Sequence, residues 1–116
     1  MEAIIRVTGM HFVGRHGANP GEKDRPQPID VDVEIVIDVA AAVARDALDD
    51  AVDYDSIVQT CRRIVTQRSF TLLESLASAC IDAIMVDARV RSARIRVRKP
   101  ALLDGATPEV ELARAR

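Results

Sequence analysis

The chain has 116 residues, of which 48% are hydrophobic, and its net charge is −2. This length and apolar content suffice for one buried core, so residues 1–116 are predicted to form a single domain. No apolar run reaches the roughly 18 residues that a membrane span requires. The N-terminal segment lacks the basic head and long apolar stretch of a signal peptide, so we expect a cytoplasmic protein without a membrane partner.

Residue types that bind metals or nucleic acids are scarce. Cys61 and Cys80 have no CxxC spacing and no neighbouring histidine, so two ordinary thiols are expected. Only His11 and His16 are available as histidine ligands, which disfavours a zinc site. Aromatic residues make up 3% of the chain, which leaves few side chains for base stacking. We therefore expect no metal and no nucleic-acid partner.

The first predicted elements are two strands separated by a loop. Residues 3–13 alternate well enough for a strand. Residues 14–28 hold three glycines and three prolines and are predicted to form a loop. Residues 29–39 alternate most cleanly, with apolar side chains at odd positions and mostly carboxylates between them. That pattern is typical of a half-buried antiparallel strand.

Two helices come next, followed by two further strands. Residues 54–68 have apolar residues at helical spacing, with Asp53 as a plausible N-cap. Residues 72–87 carry a second apolar stripe. Residues 93–99 alternate again, and a last short strand is expected at 109–113. This order predicts an α+β fold, in which two helices pack on one face of a four-stranded antiparallel sheet.

The exposed faces of the two central strands carry opposite charges. The acidic strand at 29–39 would meet the row Arg94, Arg96 and Arg98, so the charges can pair across the sheet. This pairing is a more ordinary role for such a row than a nucleic-acid groove. Four strands cannot close on themselves, and open edges favour assembly of several copies into a ring or barrel.

Glu74 lies among leucines in the stretch FTLLESL (70–76) and allows two interpretations. The letters TLLE match a capping box, with Thr71 as N-cap and Glu74 at the N3 position, which needs no ligand. Alternatively, a carboxylate in the first helical turn is favoured by the positive end of the helix dipole. It could then offer two oxygens to paired N–H donors of a flat heterocycle. The local sequence leaves both roles open.

Lys99 continues the apolar face of its strand beyond Val97, and Pro100 ends the strand. Its ammonium would either extend to solvent or lie at the rim of a pocket, where it can act as an acid or base.

Taken singly, Tyr54, Glu22 and His16 indicate no function. Each also fits an ordinary structural role. Tyr54 could be a half-buried aromatic, Glu22 a solvated loop charge, and His16 a turn histidine bonded to backbone.

Taken together, these residues lie in four segments that resemble the dihydroneopterin aldolase family. The segments read GMHFVGRHGANPGEKD, AVDYDSI, FTLLESLA and RVRKP, and their order and spacing hold over almost the whole chain. The family is characterised by an HG turn with a following glutamate, a V-x-Y before helix one, an LLE opening helix two and a KP after strand three. In this chain the corresponding residues are His16-Gly17 with Glu22, Val52-Asp53-Tyr54, Leu72-Leu73-Glu74 and Lys99-Pro100.

The resemblance implies the tunnelling fold, whose subunits form rings by edge-to-edge strand pairing, as tetramers or octamers. Active sites in such rings lie between adjacent subunits. Glu74 and the backbone around Leu73 would bind a pterin, and Val52, Asp53 and Tyr54 of the neighbouring subunit would complete the slot.

The implied reaction is retro-aldol cleavage of 7,8-dihydroneopterin to glycolaldehyde and 6-hydroxymethyl-7,8-dihydropterin, a step of folate biosynthesis. Lys99 and Glu22 would transfer protons, with Tyr54 assisting. The C=N bond of the substrate accepts the electrons of the breaking bond, so no cofactor, metal or lysine Schiff base is required.

Two departures from the family pattern keep alternatives open. Arg15 precedes the HG turn, where the family usually has an aromatic or apolar residue, and the tail lacks the PGH segment of many members. One alternative is therefore a paralogous pterin enzyme, such as an epimerase of dihydroneopterin triphosphate, or an aldolase with epimerase side activity. Another is a non-catalytic module that binds a pterin, or binds nucleic acid through the arginine row.

Overall fold

In the computed structural model, which describes residues 1–116, four antiparallel strands form one sheet and lie side by side in the order in which they occur along the chain. The strands are β1 (Glu2–Gly14), β2 (Gln27–Asp38), β3 (Val90–Arg98) and β4 (Glu109–Ala115). The helices are α1 (Ala40–Arg45), α2 (Tyr54–Gln67) and α3 (Leu73–Ile84), with 3₁₀ turns at Glu22–Asp24 and Leu48–Asp50. The predicted α+β fold and element order are confirmed, and α1 is an addition that the sequence did not predict.

One face of the sheet is covered by helices because its side chains are apolar. β2 buries every second residue from Ile29 to Ile37, and β3 buries Ala93, Ile95 and Val97 on the same side. Helix α2 packs against β1, and α3 lies over β3 and β4. Each fully buried aliphatic side chain contributes about 1.5–3 kcal/mol, so this shared core is what holds the helices to the sheet. None of the helices combines the length and apolar content needed to cross a membrane.

The two packed helices begin differently. Asp53 caps α2 as predicted, because its carboxylate accepts the N–H of Asp55 at 2.9 Å. The predicted capping box of α3 is wrong: Leu72 is the N-cap, and no side chain bonds the exposed N–H groups of this end. The hydroxyl of Thr71 instead accepts a hydrogen bond from the ammonium of Lys23 at 2.9 Å. Helix α3 also ends at Ile84, earlier than the predicted residue 87.

The polar face of the sheet is a network of paired charges. Arg98 on β3 donates to Asp32 on β2 at 2.8 Å. Arg94 and Arg96 donate to the Glu111 carboxylate on β4 at 3.0 and 2.6 Å. The Arg98 guanidinium holds the pKa of Asp32 below its usual range. The predicted cross-strand pairing is thus confirmed, and carboxylates already occupy the arginine row.

The two outer strands each keep one unpaired edge. β1 pairs only with β2, and β4 pairs only with β3. Ile4 and Val13 of β1 are about half exposed. Such edges are templates for strand pairing with another chain.

Candidate active site

Lys99 and Glu22 form a buried ion pair at the end of β3. Lys99 Nζ lies 2.8 Å from Glu22 Oε2 and 2.7 Å from the carbonyl oxygen of His16. The two side chains are only 7% and 6% exposed. The alternation of β3 therefore carries Lys99 inward as predicted, and the interpretation of Lys99 as a solvent-directed lysine is wrong.

The loop between β1 and β2 is shaped around the carboxylate of Glu22. A Cβ atom at position 17 would overlap this carboxylate, so any larger residue there would displace the Glu22 side chain. The N–H of Asn19 donates to Oε1 at 3.2 Å, and the amide of Gln27 donates to Oε2 at 3.4 Å. The Lys99 ammonium, aided by these donors, holds the pKa of Glu22 below its usual range although burial acts in the opposite direction. Glu22 is therefore an ionised, buried group and not a solvated loop charge.

His16 is fully buried and joins three segments of the chain. Its Nε2 lies 2.8 Å from the carbonyl of Val65 in α2, and its Nδ1 lies 3.0 Å from the N–H of Phe70. Because a backbone N–H can only donate, Nδ1 is the acceptor and Nε2 carries the hydrogen. Burial lowers the pKa of His16, which favours this neutral ring. His16 is thus a histidine bonded to backbone, one of the roles that the sequence allowed.

The segment before α3 lies against the same loop. The N–H of Gly17 donates to the carbonyl of Phe70 at 3.0 Å, which fixes the chain just before Leu73. Leu73 is half-buried, whereas Glu74 is exposed in the first turn of α3. The hydrogen bonds of a capping box are absent there, so the Glu74 carboxylate remains free to accept bonds from a ligand.

The segment of residues 52–54 does not join this cluster within one chain. Val52 is buried beside Ile84 and Val90, at the opposite end of α3 from Glu74. Tyr54 begins α2 and is 65% exposed. From Tyr54 to the carbonyl that His16 binds, α2 rises by about 16 Å, since each helical residue adds about 1.5 Å. A single chain therefore presents two separate groups of candidate site residues.

Gln27 and Asn19 are site residues that the sequence analysis missed. The sequence could have identified Gln27, because extending the alternation of β2 backwards from Ile29 places Gln27 on the buried face. Its amide oxygen is buried without a hydrogen-bond partner. Asn19 acts through its backbone, so its side chain gives no such signal. No group of three or more His, Cys, Asp or Glu side chains is placed to hold a metal ion.

Comparisons with known proteins identify one family for this chain. The family model for dihydroneopterin aldolase (FolB) matches residues 5–113. A dihydroneopterin aldolase of Streptococcus pyogenes serotype M18 is 34% identical over 84 residues, which are 72% of this chain and 70% of that protein.

Solved structures give the same result for the fold. A Vibrio cholerae protein assigned as a dihydroneopterin aldolase has a TM-score of 0.91 at 28% identity, covering 98% of both chains. The Escherichia coli dihydroneopterin aldolase, solved in complex with neopterin, has a TM-score of 0.92 at 22% identity, covering 97% of this chain and 99% of that one. On the family match and the streptococcal relative together, the chain belongs to the dihydroneopterin aldolase family, the aldehyde lyases that cleave dihydroneopterin in folate biosynthesis.

Proposed function

We propose that residues 1–116 form a single dihydroneopterin aldolase domain that cleaves 7,8-dihydroneopterin into glycolaldehyde and 6-hydroxymethyl-7,8-dihydropterin. The observation that carries this proposal is the buried Lys99–Glu22 pair, with its N–O distance of 2.8 Å, on the loop that also contacts the segment leading to Glu74. A proton-transfer group and a carboxylate anchor are thereby held by one small part of the fold.

Glu74 binds the pterin in this proposal. Its two oxygens accept from the 2-amino group and the N3–H of the ring, which are adjacent donors on one edge. Bonds of this charge-assisted kind are about twice as strong as neutral ones. Leu73 supplies backbone and an apolar contact beside it. The neopterin complex of the E. coli relative supports a ligand of this class.

The chemistry requires proton transfer more than covalent catalysis. A base removes the proton of the side-chain hydroxyl two carbons from the ring, and the carbon–carbon bond breaks as the new aldehyde forms. The electron pair moves into the C=N bond of the reduced ring. Returning a proton to the carbon attached to the ring completes the hydroxymethyl product. Lys99 serves this acid–base cycle through water, and Glu22 balances its charge and orients the hydroxylated tail.

The second half of the site comes from another copy of the chain. The segment of Val52, Asp53 and Tyr54 lies at the far end of α2, so a neighbouring subunit supplies it, with Tyr54 assisting proton transfer. The unpaired edges of β1 and β4 support a ring of copies, a tetramer or octamer. The partners are thus further copies and a small pterin, without nucleic acid or membrane, and the cytoplasm remains the expected location.

The direct test is incubation of the purified protein with 7,8-dihydroneopterin. Release of glycolaldehyde together with 6-hydroxymethyl-7,8-dihydropterin is the expected result, and Lys99→Ala is the matched inactive control. If neither product forms faster than in the same mixture without protein, the chain is not an aldolase.

An epimerase of dihydroneopterin triphosphate is a second candidate because of two exposed basic side chains beside the loop. Lys23 lines a surface cavity together with Gly17 and Asn19, and Arg15 stands on the same loop. Cations there suit a phosphorylated tail. Inversion of the triphosphate substrate without release of glycolaldehyde would favour this candidate. A nucleic-acid module finds less support, since the arginine row is paired with carboxylates.

A further inference from the structure

We propose that His16 is a positioning residue that fixes the pterin-anchoring segment and the proton-transfer pair relative to each other. The inference rests on the proposed function, because it assigns Glu74 and Lys99 the roles given above. His16 itself touches neither substrate nor reacting atoms. It is a buried, titratable side chain that the reaction does not otherwise use.

The two ring nitrogens of His16 serve different segments. Nδ1 accepts the N–H of Phe70 at 3.0 Å, and Phe70 lies four residues before Glu74. Nε2 donates to the carbonyl of Val65 at 2.8 Å and so ties the ring to α2. Neutral imidazole has one donor and one acceptor, and both are used here. The ring also stacks on Phe70, with centroids 5.9 Å apart.

The backbone of the same turn holds the proton-transfer pair. The carbonyl of His16 accepts from Lys99 Nζ at 2.7 Å, and the N–H of Gly17 donates to the carbonyl of Phe70 at 3.0 Å. Phe70 is therefore bound through both its N–H and its C=O by residues 16 and 17. A shift of the His16 ring moves the chain that leads to Glu74 and the oxygen that orients Lys99 together.

A role in packing alone is the competing explanation. The ring is tightly enclosed, since a Cβ atom added at Gly14 would lie 2.8 Å from Nε2 and 2.6 Å from the Val65 carbonyl. Packing would make every replacement harmful in the same way. The proposal instead predicts different consequences for the loss of each nitrogen.

The test uses two substitutions of His16 by amide side chains, each of which retains the hydrogen bond of one ring nitrogen. In His16→Asn the side-chain oxygen takes the place of Nδ1 and keeps the acceptor for Phe70. In His16→Gln the amide nitrogen takes the place of Nε2 and keeps the donor to Val65. Neopterin affinity by calorimetry, kcat and KM are measured on both variants and on the wild type.

The expected results are opposite. His16→Gln removes the acceptor of the partly buried Phe70 N–H, so the neopterin Kd and the KM should rise about tenfold or more. His16→Asn should keep the Kd within about threefold and lower kcat about tenfold, because the turn that orients Lys99 is released from α2. Equal changes in the two variants, or wild-type values in both, would overturn the proposal.

Two further measurements keep this test separate from the proposed function. If the wild type releases no glycolaldehyde, the aldolase proposal fails, while the contrast in neopterin affinity between the variants still decides the role of His16. If the variants do not fold, the wild type is examined by NMR for a scalar coupling across the hydrogen bond between the Phe70 amide and Nδ1. Its absence, or a proton on Nδ1, overturns the proposal.

Discussion

The ammonium of Lys99 uses two of its three N–H donors inside the protein, one on the carbonyl of His16 and one on the carboxylate of Glu22 at 2.8 Å. The third donor is left for water or substrate. Because the pair is buried, its attraction is offset by the loss of hydration, so it is weak evidence for stability. The consequence of this pairing is geometric: two bonds hold the Lys99 nitrogen in place, and one N–H donor is not used by the protein.

The first prediction concerns Lys99→Ala. Turnover should fall about 100-fold or more, the usual share of a positioned acid–base group. Neopterin affinity should fall much less, since the proposed mode of binding assigns the ring contacts to Glu74. Glycolaldehyde release and calorimetric titration measure the two quantities. Turnover at the wild-type rate in this variant would remove Lys99 from the mechanism.

A control is needed because Lys99→Ala leaves the charge of Glu22 buried without its partner. Such a loss destabilises proteins by about 3–5 kcal/mol. The double variant Lys99→Met/Glu22→Gln removes both charges, so it should unfold at a higher urea concentration than Lys99→Ala and still lack activity. Borohydride added to wild type during turnover should leave the protein mass unchanged, since no Schiff base forms on Lys99.

The second prediction concerns Glu74→Gln. The structure places Glu74 outside any capping box, so the free energy of unfolding should change by less than about 0.5 kcal/mol, as at other exposed positions. The amide would turn a donor toward a pterin N–H, so neopterin affinity should drop at least about tenfold. Ser75→Ala, on the same exposed turn, is the matched control and should leave both quantities unaltered. Calorimetry showing equal affinity in Glu74→Gln and wild type would exclude Glu74 as the anchor.

The strands and the orientation of Lys99 could be predicted because strand geometry is local. A period of two residues sets the buried face of residues 29–39, and the same period carries Lys99 inward. The short helix α1 could not be found this way: it buries no residue, so no apolar stripe marks it. The start of α3 was misplaced by one residue, because the Thr71 hydroxyl that suggested a cap binds Lys23, which is 48 residues away in sequence.

The hydrogen-bond partners of His16 could not be predicted from sequence patterns. Its partners Val65 and Phe70 are 49 and 54 residues away, and neither bond leaves a periodic trace. The motif containing His16 and Glu22 nevertheless singled out the loop whose residues bind Lys99. What required the structure was the set of contacts that the loop makes.

The third prediction concerns acid stability. Burial, with the nearby charges of Lys99 and Lys23 acting in the same direction, lowers the pKa of folded His16 below 6.5. Below about pH 6.5 the unfolded chain therefore binds more protons than the folded chain, and the free energy of unfolding falls by up to about 1.4 kcal/mol per pH unit. The pKa of Glu22 is lowered from 4.5, so the free energy of unfolding falls further below about pH 4.5.

Urea unfolding between pH 7.5 and 5 at fixed protein concentration measures this dependence. His16→Gln carries no titrating group at position 16, so its stability should change less over that interval, although it starts lower. Parallel profiles for the two proteins would show that the buried ring does not contribute.

The fourth prediction concerns assembly. Pairing of β1 in one copy with β4 in the next should give a tetramer or octamer at micromolar concentration in sedimentation experiments. Ile4→Lys places a charge on the open edge of β1 and should yield smaller species, because lysine on an edge strand opposes pairing. Val86→Lys is the control for an added surface charge, since Val86 is 82% exposed after α3 and belongs to no strand. A stable wild-type monomer would contradict the ring.

The last prediction tests whether two copies share one site. Lys99→Ala and Tyr54→Ala should each be inactive alone, because one loses the ammonium and the other loses the phenol. If the neighbouring copy supplies Tyr54, unfolding the two variants together and refolding them produces mixed rings. About a quarter of their sites then combine an intact Lys99 from one copy with an intact Tyr54 from the next. Turnover should therefore return to about a quarter of the wild-type value, while a site built within one chain would give no recovery at any mixing ratio.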